Sequence, residues 1–373
     1  MSLKNLKQAL ANNMKNIRGW KTDRKIVVIS VDDYGNVKVD SKEAIEQMEK
    51  EGVKPLSHFD IHDTLETGDD LQQLFEVLSS VKDRHGNPAV FTAFSLPVNI
   101  DFDKMKANNY EKYEYELLPE TFAKRKGYEN VWALWQEGMR KKLIVPQFHG
   151  REHLNLKIFN DALKNRDKAT LVALKNRSYT SISLKNYPSY TAAFDFSDFS
   201  EFESHNEIIA DGLNAFEKVF GFRATHFNAP GGRENAVLHK ALKENGVLYI
   251  DTPFDKKEHL GGGKFKRVFN YTGKQNEHGQ TFMVRNVVFE PIWKRGYDPV
   301  EHALKQVEAA FRWNKPAIIS SHRVNYSGLV DPKNRENGLG ALKKLLSEIT
   351  KRWPDVEFMA ANELAEQIAA SKK

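Results

Sequence analysis

The sequence predicts an α/β fold and, within that class, a (β/α) barrel of seven or eight strands. Short apolar runs alternate with longer segments of helical periodicity, which is typical of β/α units around a parallel sheet. The number of these units favours closure into a barrel over an open sheet. With 373 residues, 40% of them hydrophobic, the chain is long enough to bury a large core without disulfides.

The predicted strands are apolar runs that end in polar residues, and they cover residues 25–31, 89–95, 143–148, 224–227, 247–250, 282–289, 316–321 and 356–359. The predicted helices have apolar residues at three- and four-residue spacing, and they cover residues 41–52, 71–81, 131–141, 206–220, 236–245, 299–313 and 339–353. Helices therefore lie between most of the successive strands, as β/α units require.

A single domain is predicted over residues 25–373, because no fixed-period repeat and no low-complexity linker divides the chain. Residues 1–24 form an N-terminal helical extension. Its apolar residues recur at helical spacing and are Leu3, Leu6, Leu10, Met14 and Ile17. We expect an amphipathic helix that lies on the domain, with membrane-surface binding as the alternative. Segments near 99–130 and 255–280 interrupt the alternation and are predicted insertions in surface loops.

The composition narrows the possible functions. The chain has no cysteine, so any metal must be held by His, Asp or Glu, and thiol nucleophiles are excluded. The 56 basic and 50 acidic residues give a net charge of only +6, and no basic block with interleaved aromatics argues for nucleic-acid binding. No stretch approaches the ~20 apolar residues of a membrane helix, and no signal-peptide pattern is present. We therefore expect a cytoplasmic protein without membrane insertion, of unspecified oligomeric state.

Two adjacent carboxylates, Asp32 and Asp33, follow the first predicted strand. Catalytic groups of a β/α barrel lie on the loops after the carboxyl ends of its strands. Neighbouring side chains of a regular strand point to opposite faces, but Gly35 allows a sharp turn through which both carboxylates could reach one pocket. A helix N-cap followed by a turn is the alternative interpretation.

A pair of histidines, His149 and His153, follows the predicted strand 143–148. Histidines four residues apart on a helical turn project on one face, and neutral imidazole is a good zinc ligand. Two surface or capping histidines are the alternative. Glu152 lies off that face, so its spacing does not make it a ligand.

Two further strand ends carry candidate groups. His322 follows the strand 316–321 and is a candidate proton donor, because histidine titrates near neutral pH. A purely structural histidine is the alternative. Residues 228–232 (Asn-Ala-Pro-Gly-Gly) leave backbone N–H groups around a tight turn, which forms either an oxyanion-binding nest or a plain turn.

Together these strand ends predict one site at one mouth of the barrel. A metal bound by one aspartate and two histidines keeps open positions for water and substrate. The second aspartate of the pair is then placed to act as a base on that water.

The order of these motifs resembles that of the polysaccharide deacetylase family, the metal-dependent carbohydrate esterases with the NodB homology domain. The similar blocks are residues 30–35 for the family's Thr-Phe-Asp-Asp-Gly, 149–153 for His-(Ser/Thr)-x-x-His, 228–231 for Arg-x-Pro-Tyr and 320–322 for Leu-x-His. The closing VEFMAANEL segment resembles the family's last strand and helix. The opening Asp-Asp-Tyr-Gly is also similar to that of the YdjC-like oligosaccharide deacetylases. The resemblance spans about residues 25–366.

The resemblance implies an irregular, NodB-like (β/α) barrel and a metal-dependent deacetylase that acts on carbon–nitrogen (amide) bonds of amino sugars. It implies that Asp33, His149 and His153 hold one divalent metal ion, with zinc expected. It further implies Asp32 as general base and His322 as general acid. The implied partner is an acetylated carbohydrate substrate.

The resemblance also implies roles for the remaining strand ends. Asp251 would orient the acid histidine, and the backbone N–H near Gly231 would bind the oxyanion, beside Asn228 and Pro230. His226 lies two residues before Asn228 and would face the same site.

One departure concerns the base. The family's arginine that pairs with the base aspartate is replaced here by Asn228, and the candidates for supplying that cation are Arg151, Arg233 and Arg323.

The predicted function is removal of N- or O-acetyl groups from a carbohydrate by metal-activated water, with an aspartate base and a histidine acid. A catalytically degenerate carbohydrate-binding barrel is one alternative, and it is favoured by the neutral Asn228. The second alternative is another hydrolase of the same fold, such as a metal-dependent phosphoesterase or a glycosidase with paired carboxyls.

Overall fold

The computed structural model describes residues 3–54, 58–179, 190–293 and 295–372. Its strands are β1 (Lys25–Tyr34), β2 (Phe91–Ser95), β3 (Val98–Ile100), β4 (Tyr115–Leu117), β5 (Ile144–Phe148), β6 (His226–Phe227), β7 (Tyr249–Asp251), β8 (Asp255–His259), β9 (Phe265–Phe269), β10 (Thr281–Met283), β11 (Val287–Val288), β12 (Ala317–His322) and β13 (Val356–Phe358). Its α-helices are α1 (Leu3–Met14), α2 (Lys42–Lys50), α3 (His58–His62), α4 (Gly68–Ser80), α5 (Phe102–Ala107), α6 (Leu118–Ala123), α7 (Val131–Arg140), α8 (Leu156–Lys164), α9 (Lys168–Lys175), α10 (Phe202–Phe220), α11 (His239–Glu244), α12 (Pro299–Arg312), α13 (Pro332–Arg352) and α14 (Ala361–Ala370).

A curled, all-parallel sheet forms the centre of the molecule. Eight strands follow the order β10-β7-β6-β5-β2-β1-β12-β11, and β13 pairs with the start of β1. Helices connect most successive strands of this sheet, as parallel pairing requires. The prediction of an irregular (β/α) barrel is therefore confirmed.

The strand β1 lies near the middle of the sheet and is buried on both faces. Val27, Ile29 and Val31 belong to the large core, whereas Ile26 and Val28 pack in a second cluster with residues of α14. Successive side chains of a strand point to opposite faces, so a strand covered on both sides reads as one continuous apolar run. This burial explains why the first strand was visible in the sequence.

The strand predicted at 282–289 is two strands at opposite ends of the sheet order. β10 pairs with β7, whereas β11 pairs with β12. The intervening Val284, Arg285 and Asn286 cross from one end of the sheet to the other. Both pieces and most of the crossing are buried, so the apolar pattern hides the break.

The predicted insertions contain small antiparallel sheets. β3 pairs with β4 in the first insertion, and β8 pairs with β9 in the second. No helix in the described part of the chain is long and apolar enough to cross a membrane.

The N-terminal helix α1 packs against α12, and three apolar residues of the N-terminal segment are exposed. Leu10, Met14 and Ile17 are 61%, 48% and 50% exposed. Polar residues contribute to the contact with the barrel, since Trp313 Nε1 donates to Asn13 Oδ1 over 2.8 Å and Gln306 Nε2 donates to Asn12 Oδ1 over 3.5 Å.

Candidate active site

Asp32 and Asp33 both line one cavity because β1 is irregular at its carboxyl end. The strand runs on to Tyr34, and its register against β2 shifts between Val31 and Tyr34. Asp33 has a φ of 73°, a left-handed conformation that aspartate tolerates better than most residues. This residue breaks the alternation of side chains, so the change of direction begins at Asp33 and not, as predicted, at Gly35.

His149 and His153 converge through a loop and not through the predicted helical turn. Residues 149–155 are irregular, and α8 begins at Leu156. Gly150 has a φ of 106°, which glycine adopts without strain. The loop brings the centres of the two imidazoles to 5.4 Å.

Within the described part of the chain, Asp33, His149 and His153 are placed to hold a metal ion. The Nε2 atoms of the histidines lie 3.2 and 3.1 Å from Asp33 Oδ1, and the three ligand atoms lie within 4.8 Å of one another. His149 Nδ1 donates to the carbonyl oxygen of Asn228 over 2.8 Å, so Nε2 is the ring atom that faces Asp33 Oδ1. A cation between those two atoms would satisfy both, and the donor set therefore fits a divalent metal.

The charge state of Asp33 also suits a ligand. Burial by itself raises the pKa of Asp33, but hydrogen bonds from His149 and His153 outweigh it and hold the pKa well below its usual value. The carboxylate is therefore ionised, as metal binding requires.

Arg285 binds Asp32 and Asp251 together. Its Nη1 and Nη2 donate to the two oxygens of Asp32, each over 2.8 Å, and its Nε donates to Asp251 Oδ2 over 2.6 Å. The other oxygen of Asp251 lies 2.7 Å from His226 Nε2. Burial opposes the ionised form of Asp251, but Arg285 and His226 lower its pKa. These four residues form a buried chain of alternating donors and acceptors.

The cation beside Asp32 is therefore not one of the three arginines predicted from the sequence. The three arginines expected there pair elsewhere: Arg323 with Asp63 and Glu66, Arg151 with Glu152 and Asp211, and Arg233, at 4.0 Å, with Asp195. Arg285 lies just after β10, so it too is a polar residue at a strand end that the sequence could have marked as a candidate site residue. Joining β10 and β11 into one predicted strand concealed it.

His322 is held by Glu290. Its Nδ1 lies 2.6 Å from Glu290 Oε1, and Asn325 donates to the other Glu290 oxygen over 2.6 Å. Asp251, the residue predicted for this place, instead binds His226 and Arg285. Glu290 follows a strand too short, at two residues, to be recognised separately.

The environment of His322 favours its protonated form. Burial by itself lowers the pKa of His322, but the nearby carboxylates, Glu290 above all, raise it to about 10. Its Nε2 lies 3.8 Å from Asp32 Oδ2. The imidazolium and the candidate base therefore face each other inside the site.

The turn after β6 forms part of the cavity wall. Gly231 has a φ of 66° and lines the cavity beside Asn228. Pro230 supports the histidine loop, since a Cβ at Gly150 would lie 3.1 Å from the proline ring. His226 is fully buried and reaches the cavity through its hydrogen bond to Asp251.

The side chains surround one cavity of about 350 Å³. Its lining residues are Asp32, Asp33, Lys38, His149, His153, Asn228, Ala229, Gly231, Gly232, Glu234, Asp251, Thr252, Pro253, Arg285, Ser320 and His322. Two charged members carried no recognisable sequence signal. Lys38 pairs with Asp60 over 2.8 Å, and Glu234 pairs with Lys256 over 2.6 Å.

Comparisons with known proteins give distant similarities of structure. No protein-family model matches the chain, and no curated protein matches its sequence. A Mycobacterium smegmatis protein assigned as a polysaccharide deacetylase is 14% identical, with 95% of this chain and 94% of that chain covered and a TM-score of 0.48. The allantoinase PuuE is 12% identical, with 94% and 92% covered and a TM-score of 0.48. The 4-alpha-glucanotransferase of Thermococcus litoralis is 12% identical, with 94% and 40% covered and a TM-score of 0.45. These similarities are too distant to assign an activity.

Proposed function

We propose that the protein is a metal-dependent hydrolase that removes acetyl groups from a carbohydrate, with the amide of an N-acetylated amino sugar as its preferred bond. One observation carries the proposal: the ligand set Asp33, His149 and His153 shares a single cavity with Asp32 and His322. Amide hydrolysis at neutral pH needs an activated water, a base for its proton and an acid for the leaving amine.

The proposed cofactor is one divalent metal ion held by Asp33, His149 and His153. Zinc suits a site of two imidazoles and one carboxylate. When bound, such an ion polarises a carbonyl oxygen and lowers the pKa of water to about 7. The contribution of the chain is orientation, because the Asn228 carbonyl fixes both the ring angle and the tautomer of His149.

Asp32 is the proposed general base. Arg285 binds both of its oxygens and so fixes the plane of the carboxylate at the cavity wall. The carboxylate takes a proton from the attacking water. Because Asp251 binds the third donor of the guanidinium, the arginine is itself held in place.

His322 is the proposed general acid. Glu290 accepts from its Nδ1, so the proton on Nε2 faces the cavity and is available to the leaving amine. The backbone N–H near Gly231 is the proposed donor to the oxyanion, since this residue lines the same cavity in a tight turn with a φ of 66°.

Two alternatives lose support from this geometry. The degenerate binding protein was favoured by the neutral Asn228, but Arg285 supplies the cation beside Asp32. A glycosidase needs one protonated carboxyl and a second one beside the scissile bond. Asp32 is bound by a guanidinium and Asp33 by two imidazoles, so neither has the apolar surroundings that keep a carboxyl protonated for the acid role.

Metal analysis combined with acetate release tests the proposal. We expect the zinc-reconstituted wild type to hold one ion per chain and to release acetate from N-acetylglucosamine oligomers. Asp33→Asn, His149→Gln and His153→Gln should each lower metal affinity at least about tenfold. Asp32→Asn should keep the metal and lose turnover.

The matched control is His85→Gln, which changes an exposed histidine and should leave both properties unchanged. Full metal content in all three ligand variants would remove the proposed site. Metal binding with hydrolysis of a phosphate ester, but without acetate release, would replace the proposed reaction.

A further inference from the structure

The β8–β9 hairpin continues the wall of the active-site cavity. Thr252 and Pro253 line the cavity and lead directly into β8. Lys256 of β8 then binds Glu234, another lining residue, over 2.6 Å. A chain of substrate that extends past the cavity on this side would therefore run onto the hairpin.

A second connection joins the cavity to β9. Gly232 lines the cavity, and the guanidinium carbon of its neighbour Arg233 lies 5.9 Å from the centre of the Phe265 ring. The ring of Phe265 in turn stacks on His259, with centres 5.0 Å apart. Both strands of the hairpin are thus packed against the rim of the site.

Positive charge is concentrated on this hairpin. Between Asp255 and Phe269 the sequence has five basic and two acidic residues, a net charge of +3, which is half of the +6 of the whole chain. The exposed members are Lys257, Lys264, Lys266 and Arg267. Such a cluster attracts an anionic partner to the side of the cavity.

Large apolar side chains are exposed among these charges. Phe265, Phe269 and Leu260 are 41%, 53% and 45% exposed. Phe199 is 51% exposed and lies against the hairpin turn, since a Cβ at Gly261 would be 3.3 Å from its ring. Aromatic rings are suited to contact the C–H groups on the apolar faces of sugar rings.

We propose that the hairpin binds an acidic polysaccharide whose acetylated sugar enters the cavity, an inference that rests on the proposed function and specifies its substrate. The hairpin alternates rings with cations, since Arg267 lies 5.1 Å from the centre of the Phe269 ring and Arg233 is near Phe265. An acidic polysaccharide alternates sugar faces with carboxylates or sulfates in the same way. A lipid bilayer fits less well, because guanidinium groups interrupt the apolar surface that would enter it.

Binding of defined probes to the full-length protein tests this surface. The acidic probe is a decasaccharide of alternating N-acetylglucosamine and glucuronate, and the neutral probe is chitin pentaose. We expect titration calorimetry to give tighter binding of the acidic probe, with an affinity that falls as salt increases. The double variant K264E/K266E should weaken that binding at least about tenfold at low salt, and Phe269→Ala about threefold or more.

Matched controls lie elsewhere on the surface. K343E/K351E on α13 makes the same change of charge, and Phe222→Ala removes a ring that is 38% exposed. Both should bind the acidic probe as the wild type does. Acetate release from a monosaccharide substrate should be equal in K264E/K266E and the wild type, because the substituted residues lie outside the cavity lining.

The proposal would be overturned if the hairpin variants bound the acidic probe as tightly as the wild type does. Equal affinity of the wild type for the neutral and acidic probes would also overturn it. So would hairpin-dependent binding to phosphatidylglycerol vesicles in preference to the polysaccharide. The deacetylase proposal fails separately. Hairpin-dependent binding without any acetate release would support the polysaccharide-binding surface and exclude the deacetylase reaction. Acetate release without polysaccharide binding would support the deacetylase reaction and exclude the binding surface.

Discussion

Arg285 and Asp32 are 253 positions apart and are joined by two hydrogen bonds of 2.8 Å each. Arg285 lies where the chain crosses from β10 to β11, whereas Asp32 lies near the end of the central β1. Arg285 Nε also donates to Asp251 at the end of β7. One guanidinium therefore connects strand ends from both sides of the barrel mouth, and it does so beside the candidate base.

Replacing Arg285 is expected to separate positioning from charge. Arg285→Lys keeps the charge but loses the two-point geometry, so kcat should fall about ten- to a hundredfold while the fold is retained. Arg285→Met leaves two buried carboxylates without their cation, and the free energy of unfolding should fall by about 3 kcal/mol. Chemical denaturation and acetate release measure the two effects.

The control for this pair is Arg312→Lys on α12, where the exposed Arg312 binds Glu308. Solvent screens that ion pair, so neither stability nor turnover should change measurably. Equal turnover of Arg285→Lys and the wild type would contradict a positioning role for the arginine.

His322 is expected to stay protonated in the metal-free protein until the pH approaches its raised pKa of about 10. Glu290 is the main cause of the increase, so Glu290→Gln should bring the pKa down toward the ordinary value of about 6.5. A pKa raised by folding stabilises the protein below pH 6.5, and that stability is lost as the pH rises through about 10.

NMR titration of the histidine ring signals measures this pKa directly. Denaturation between pH 6.5 and 10 should show a steeper loss of stability in the wild type than in Glu290→Gln. An unchanged pKa in the variant would show that Glu290 does not control the proton on His322.

Glu234 is expected to contribute to stability in acid. Burial by itself raises its pKa, but Lys256 and His239 lower the pKa from 4.5 to about 2. A pKa lowered by folding stabilises the protein above pH 4.5, and this part of the stability, about 3 kcal/mol, is lost as the pH falls through about 2. Glu234→Gln should therefore have a flatter stability profile between pH 4.5 and 2, while the exposed Glu76→Gln should follow the wild type.

Two glycines of α13 are expected to respond oppositely to alanine. A Cβ at Gly338 would overlap the carbonyl of Asn325, and Asn325 supports Glu290 beneath His322. Gly338→Ala should therefore lower the free energy of unfolding by about 2 kcal/mol or more. Gly340 meets nothing within 4 Å, so Gly340→Ala should raise it by up to about 1 kcal/mol. Denaturant unfolding measures both, and similar effects of the two substitutions would contradict this packing.

The architecture was predictable from the sequence because its causes are local. A strand buried on both faces must be apolar along its length, as β1 is, and a helix on the barrel must carry a periodic apolar stripe, as α12 does. The strand ends were also marked, since Asp33, His149 and His322 each follow such a run. Short strands such as β11 carried too few residues to give a pattern.

The sequence by itself determined the parallel α/β architecture and the residue types gathered at the ends of its strands, because burial and periodicity act within a few neighbouring residues. Only the tertiary structure decided which of those ends meet. The pairing of Arg285 with Asp32, of Glu290 with His322 and of the β8–β9 hairpin with the cavity rim depends on where the sheet curls and where the chain crosses it. Charges brought together from distant positions leave no mark in the spacing of residues along the chain.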